Sequence, residues 1–160
     1  MDDKKTDLYQ LKTDLHSGKW ETALDAADRL SQLNTTESID VLIDGLSSTN
    51  SFIRNASALG IRDTDSKKAF DALFNRIKEL WPNEEIGTLV YCLETANCND
   101  YLIDLIDFYF NGSFEVKSSI TTIFNEQNFV QTKDNINRLQ DILKLNNTTI
   151  QDFNINITST

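Results

Sequence analysis

Four stretches of this chain repeat one apolar pattern. Each places small or branched apolar residues on a single helical face, and the stretches begin at Ala23, Ile53, Ile86 and Val116. The intervals between these starts are 30, 33 and 30 residues, which is longer than a heptad and shorter than a domain. A repeat of this length is typical of stacked helical units, each of which buries its apolar face only against its neighbours. The pattern therefore predicts an all-α protein whose first expected role is to present a binding surface.

Each repeat holds two helical segments. In the first repeat, apolar residues with the spacing i, i+3, i+4, i+7 run through Trp20 to Leu33 and recur from Ile39 to Leu46. Thr35 and Thr36 lie between the two segments and are suited to cap the second helix. A further helix, Thr6 to Leu15, is predicted to cover the open end of the stack. We expect four antiparallel helix pairs and this N-terminal capping helix to form one domain over residues 1–145.

The end of the chain departs from the repeat. The fourth repeat has a longer gap between its helices, from Asn125 to Asp134, and past Leu145 the composition shifts to Asn and Thr. We therefore assign residues 146–160 to a polar C-terminal tail. Alternating apolar residues in this tail allow a short strand, but a frayed end is the favoured expectation.

The second repeat carries the most specific motif. Residues 51–60 read Ser-Phe-Ile-Arg-Asn-Ala-Ser-Ala-Leu-Gly, and an acidic turn at Asp63 and a capping Asp65-Ser66 lead into an apolar second helix. This segment resembles the HEAT repeat. The resemblance covers about residues 19–145, although the third and fourth repeats of this chain lack the Arg and the Leu-Gly. It implies a HEAT-like α-solenoid, in which Arg54 is expected to pair with an acidic turn residue such as Asp63. Architecture of this kind says little about function.

Charge and composition exclude several classes of partner. The chain has 15 Lys and Arg against 25 Asp and Glu, a formal net charge of −10, so nucleic acid and anionic membranes would be approached against the field of the whole protein. A basic protein is the better candidate. The start of the chain has no apolar signal-like region and no apolar run approaches ~18 residues, and we expect a cytoplasmic protein. Cys92 and Cys98 suit reduced thiols and do not have a zinc spacing.

Residues suited to catalysis are scarce. The one histidine, His16, lies at the end of the first predicted helix, where it can bond the last carbonyls, and a nucleophilic Ser or Cys normally needs a positioned His. HEAT-like enzymes that hold iron use His-Glu pairs, which one histidine cannot supply. Glu84 and Glu85 follow Pro82 and are predicted to occupy the first turn of a helix. We expect no catalytic residue, no metal and no cofactor.

The exposed face of the second helices, which line the concave side of such a stack, is the predicted binding surface. Its acids interleave with aromatic residues, so that charge would steer encounter and aromatic rings would supply the main contacts. The predicted partner-binding residues are Asp40, Asp44, Asp71, Phe74, Trp81, Asp104 and Asp107. In the alternative interpretation, the acids are a solvated face while Phe70 and Phe74 fill the core, because a one-position shift in register exchanges the two faces.

Size, acidity and architecture together resemble small bacterial immunity proteins that pair with toxins delivered by contact-dependent or related secretion systems. This resemblance implies an inhibitor that forms a 1:1 complex, as a monomer, with a basic nuclease-type toxin and occludes its active surface. One alternative is a HEAT-like adaptor that holds a peptide or helix of a signalling or assembly partner. A third is a nucleic-acid-processing protein, because one HEAT-like family excises damaged DNA bases on a basic surface. The local excess of positive charge that such a surface needs consists of Arg54, Arg62, Lys67, Lys68, Arg76 and Lys78.

Overall fold

A computed structural model describes the backbone of residues 2–160 and the side chains from residue 7 onward. The protein is mostly helical, which confirms the all-α prediction. The helices are α1 (Asp2–Leu15), α2 (Trp20–Leu33), α3 (Thr36–Leu46), α4 (Ser51–Arg62), α5 (Lys67–Leu80), α6 (Gly87–Tyr91), α7 (Leu102–Asn111), α8 (Phe114–Glu126) and α9 (Lys133–Leu145), and two strands are β1 (Asn128–Gln131) and β2 (Asn156–Ser159). The chain divides into two compact units, a first unit up to Ala96 and a second unit from Asn97. Among the described residues, every helix is too short or too polar to cross a bilayer.

The first unit is built on the close approach of α2 and α4. Ala23 and Ala27 of α2 are fully buried, and a Cβ added at Gly60 of α4 would lie 2.9 Å from the carbonyl oxygen of Ala27. At the start of the same two helices, the rings of Trp20 and Phe52 lie 6.1 Å apart. The small residues that define the repeat therefore let these two backbones pack closely.

Predicted helix ends are confirmed at several positions. The side chain of Thr35 accepts a hydrogen bond from the Ser38 N–H and completes a capping box at the start of α3. Ser66 caps α5 by accepting from the N–H of Ala69 at 3.2 Å. His16 lies just after α1, and its Nδ1 is 2.9 Å from the carbonyl oxygen of Lys12.

The first segment of the third repeat is less regular than the helix that the apolar spacing predicts. The apolar residues of this repeat are Ile86, Leu89, Val90 and Leu93, and all four are buried. Ile86 precedes the five-residue α6, Leu89 and Val90 lie on it, and Leu93 lies on a 3-10 turn, Cys92–Thr95. The prediction for Glu84 and Glu85 is wrong, because α6 begins only at Gly87. The N–H of Glu84 donates to the carbonyl oxygen of Leu80 at 3.0 Å, so this segment closes the end of α5 and does not open the next helix.

The second unit contains α7 to α9 and a small parallel sheet. β1 lies in the long gap after α8 and pairs with β2 in the register Asn128↔Asn156 to Gln131↔Ser159. The expectation of a frayed tail is therefore wrong. A 3-10 turn, Ile150–Phe153, precedes β2 and holds the ring of Phe153 4.8 Å from that of Tyr109. Aromatic packing and strand pairing together tie the C-terminal residues to the unit.

Candidate partner-binding surfaces

The acids predicted on α3 and α5 have cationic partners within the first unit. α3 lies beside α1 and α5, and α1 contributes one lysine to this face while α5 contributes two. The pairs, with their N–O distances, are Lys12–Asp44 at 3.0 Å, Lys68–Asp40 at 2.5 Å and Lys67–Asp71 at 2.9 Å. The face formed by α3 and α5 therefore alternates in charge.

The two phenylalanines of α5 do not lie on its exposed face. Phe70 is 8% exposed and Phe74 is 4% exposed, and the alternative in which they fill the core is the one that the structure shows. The expectation of exposed rings at these positions is wrong because α5 packs against α3, α4 and α6 and buries a wide stripe. Trp81, directly after α5, is half-buried.

The remaining predicted residues lie in the second unit. Asp104 and Asp107 are on α7, where Asp104 is half-buried and Asp107 is exposed. The Oδ1 of Asp107 accepts a hydrogen bond from Asn111 at 3.1 Å. The structure thus brings Asp40, Asp44 and Asp71 together on adjacent helices and places these two acids in a separate unit.

The basic residues that a nucleic-acid surface would need are engaged within the first unit. Four of them form ion pairs with acids, and two lie over aromatic rings. These contacts are Arg54 with Glu84, Lys67 with Asp71, Lys68 with Asp40, Arg76 with Glu79, Arg62 with the Tyr91 ring and Lys78 with the Phe74 ring. The positive charge of Arg54, Lys67, Lys68 and Arg76 is therefore offset by a neighbouring acid.

A groove of about 490 Å³ lies along α2 and α4 in the first unit. Its apolar lining comes from the half-buried Leu24 and Leu59 together with the buried Gly60. Four exposed carboxylates also line it, and these are Glu21, Asp25, Asp28 and Asp63. We call this feature the acidic groove.

Electrostatically, the acidic groove differs from the face of α3 and α5. Asp28 accepts a hydrogen bond from Gln32 at 2.8 Å, whereas Glu21, Asp25 and Asp63 form no ion pair with any cation of the described residues. The one cation of the lining, Arg62, lies 4.6 Å from the ring centroid of Tyr91. Four carboxylates against one guanidinium give the groove a negative potential.

Sequence reasoning missed this groove because it followed the second helix of each repeat. A signal was nevertheless present. Glu21, Asp25 and Asp28 have the spacing i, i+4, i+7 and so share one face of α2, and Gly60 marks the point where α4 approaches that helix closely.

Both cysteines are unsuited to chemistry at neutral pH. Burial raises the pKa of the Cys92 and Cys98 thiols to about 12, so almost none of either thiol is the reactive thiolate. In the part of the chain that the structure describes, His, Cys, Asp and Glu side chains form no group of three that could hold a metal ion.

Comparisons with protein-family models, curated proteins and solved structures find no match to this chain.

Proposed function

We propose that this protein is an inhibitor that binds a basic protein through the acidic groove, and that it acts as an immunity protein for a nuclease-type toxin. The observation that carries the proposal is the lining of the groove. Glu21, Asp25 and Asp63, which form no ion pair with a cation of the described residues, lie beside the half-buried Leu24 and Leu59. A basic protein surface with an apolar centre complements this combination of charge and apolar area.

Carboxylates without a cationic partner among the described residues favour a binding partner that arrives by electrostatic steering. Such charges raise the rate of association, and screening by salt lowers it again. The acids of the face of α3 and α5 already have lysine partners, so a toxin would have to displace those lysines before it gained the same contacts. The acidic groove is therefore our preferred surface, and the face with Asp40, Asp44 and Asp71 is the competing one.

Two exposed aromatic residues lie at the N-terminal ends of the helices that form the groove. Trp20 precedes Glu21 directly, and its ring packs against that of Phe52; both side chains are exposed. Aromatic residues are enriched among those that dominate binding energy. In the proposed complex, these rings replace Phe74 as the anchors.

The proposed architecture is a HEAT-like solenoid in a cytoplasmic protein, with α1 as the terminal cap. Contacts between residues about one repeat apart support it. Trp20 packs on Phe52, and Ala27 approaches Gly60, so the same two helices meet at both positions in matching order. Stacked repeats create extended surfaces of the kind that such proteins use for binding.

A nuclease is the favoured target because an enzyme that holds RNA or DNA needs a positively charged surface. A row of carboxylates in the acidic groove would imitate the phosphates of that substrate. The alternative function, an adaptor, shares the groove but predicts capture of a partner without loss of the partner's activity.

The test combines capture with an activity assay. The immobilised chain is incubated with lysate of the source organism at low and high salt, and the retained protein is purified and assayed for nuclease activity against increasing amounts of the chain. The groove variant Asp25→Lys/Asp63→Lys is compared with Glu115→Lys/Glu126→Lys, which changes the net charge equally on exposed positions of α8. A third variant, Asp40→Lys/Asp44→Lys, tests the competing surface.

We expect one basic protein whose nuclease activity is abolished by one equivalent of the chain. The groove variant should slow association by about tenfold or more, whereas the α8 control should remain within about threefold. Capture without inhibition would favour the adaptor, and recovery of nucleic acid would favour the processing protein. If Asp40→Lys/Asp44→Lys slowed association more than the groove variant does, the partner would be assigned to the face of α3 and α5.

A further inference from the structure

The two outer edges of the small sheet in the second unit differ, because Asn99 lies against the outer side of β1 while no described residue bonds to the outer side of β2. On the outer side of β1, the Val130 N–H donates to the Asn99 side chain at 2.7 Å. The Gln131 side chain also donates to the carbonyl oxygen of Asn99 at 2.6 Å. β2 pairs with β1 and, in the described part of the chain, with no other strand. Edges of this kind are templates for a further strand.

The register identifies which backbone groups point outward from β2. The Thr160 N–H donates to the carbonyl oxygen of Gln131, so Thr158 and Thr160 direct their backbone groups towards β1. Because alternate residues of a strand face opposite edges, the N–H and C=O groups of Ile157 and Ser159 point away from β1. No side chain of the described residues bonds to them.

A cleft of about 720 Å³ adjoins this strand. Its lining includes Asn156 and Ile157 of β2 but no residue of β1. All eight lining residues are uncharged at every pH, which is unusual in a chain of net charge −10. They are the carboxamides Asn125, Gln151, Asn154 and Asn156 and the isoleucines Ile136, Ile150, Ile155 and Ile157.

We propose that the open edge of β2 and this cleft form a strand-addition site for an extended, uncharged segment of a partner protein. The outward backbone groups of Ile157 and Ser159 would pair with the backbone of the incoming segment, and alternate apolar side chains of that segment would enter the cleft. The carboxamides would bond the peptide groups that the edge does not reach. This site does not depend on the function proposed for the acidic groove.

The uncharged lining of the cleft indicates that the partner segment is uncharged too. A charged side chain that entered the cleft would lose water and find no opposite charge there, which is unfavourable. A second copy of this chain could pair through the edge alone, but pairing of that kind would leave the cleft unused. Branched apolar side chains at every second position match both the edge and the isoleucines.

The experiment uses the full chain and a displayed library of random dodecapeptides as the probe. Peptides selected on the wild-type chain are synthesised and titrated against Ser159→Pro, which removes one outward N–H at an exposed edge position where proline is tolerated. The control is Ser159→Ala, which keeps that N–H. A third variant, Gln151→Lys, places a charge in the cleft.

We expect the selected peptides to be uncharged, with branched apolar residues at alternate positions. Their affinity should fall about tenfold in Ser159→Pro and in Gln151→Lys, and should be unchanged in Ser159→Ala, with the same helical circular dichroism and Tm in all variants. Equal affinity for the proline and alanine variants would overturn the proposal, and so would charged or non-alternating peptides or failure to select any peptide. A concentration-dependent dimer that Ser159→Pro abolishes, seen by sedimentation, would assign the edge to a second copy instead.

Discussion

The Arg54 Nη2 donates a hydrogen bond to the Glu84 Oε2 at 2.9 Å, across 30 residues of sequence. The side chain of Arg54 is 5% exposed, while that of Glu84 is 51% exposed. The Arg54 Nη1 donates in addition to the carbonyl oxygen of Ser48 at 3.1 Å. One buried cation therefore links the end of α3, the start of α4 and the turn after α5.

Removing the anion should destabilise the first unit. In Glu84→Ala the buried guanidinium keeps its carbonyl contacts but loses its charged acceptor, and we expect the free energy of unfolding to fall by about 1–2 kcal/mol. Urea denaturation followed by circular dichroism measures this. The exposed neighbour provides the control, since Glu85→Ala should change the same quantity by less than about 0.5 kcal/mol. Equal effects of the two substitutions would show that Arg54 does not need this partner.

The sequence predicted an internal cation at Arg54 but assigned it the wrong partner. Asp63 follows Arg54 by nine residues in nearly the same helix, which places their backbones about 13 Å apart along the axis. Glu84 comes close because the segment after α5 is a turn. Pro82 followed by two acids predicted a helical start for that segment, and no local pattern indicates where a turn will carry an exposed acid.

Ser57 offers a second test of packing in the first unit. Its Oγ is buried and has no hydrogen-bond partner among the residues that the structure describes, so we expect Ser57→Ala to raise the free energy of unfolding by about 1 kcal/mol. A Cβ added at Gly45 would lie 2.0 Å from that oxygen, so Gly45→Ala alone should lower the same free energy by about 2 kcal/mol.

The double variant tests whether the hydroxyl causes the clash. In Gly45→Ala/Ser57→Ala, the closest remaining distance is 3.1 Å, to the Ser57 Cβ. We therefore expect most of the loss to be recovered, with an interaction energy above about 1 kcal/mol in the double-mutant cycle. Strictly additive effects would mean that the two helices separate to accept the new methyl group.

Helix faces were easier to predict than the neighbours of each face. The bounds of α2 and the buried alanines within it follow from the spacing of its apolar residues. The pairing of Asp44 with Lys12 depends on α1 lying beside α3. The apolar pattern within each repeat does not specify that arrangement. The acidic groove was missed for another reason: stacked repeats place α2 beside α4, but the binding surface was expected on the second helix of each repeat.

The thiols should be silent until the protein unfolds. Because burial raises the pKa of Cys92 and Cys98 to about 12, iodoacetamide at pH 8 should leave the native protein unlabelled and add two groups in urea, as measured by mass spectrometry. A folded-state pKa above the unfolded value of 9.0 means that the native state holds these protons more tightly. Stability from this source is complete below pH 9 and is lost as pH rises towards 12.

The pH dependence can be isolated with a variant. In Cys92→Ala/Cys98→Ala the free energy of unfolding should fall less steeply between pH 9 and pH 11 than in the wild type, while lysines and tyrosines titrate alike in both proteins. Identical slopes, or rapid labelling of the native protein, would show that the thiols are accessible.

Phe153 should matter more than its position near the C-terminus suggests. Its ring lies 4.8 Å from that of Tyr109 and 6.1 Å from that of Phe124, and it directly precedes the turn that leads to β2. Phe153→Ala would remove edge contacts from both partners, and we expect the free energy of unfolding to fall by about 2 kcal/mol, because the side chain is only half-buried. Hydrogen exchange at the Phe129 amide of β1 should become faster, since β2 would be held less firmly.

Phe114→Ala is the matched control for Phe153→Ala, because the Phe114 ring is 85% exposed and its loss should change the free energy of unfolding by less than about 0.5 kcal/mol. Equal responses to the two substitutions would mean that strand pairing alone holds the C-terminal residues.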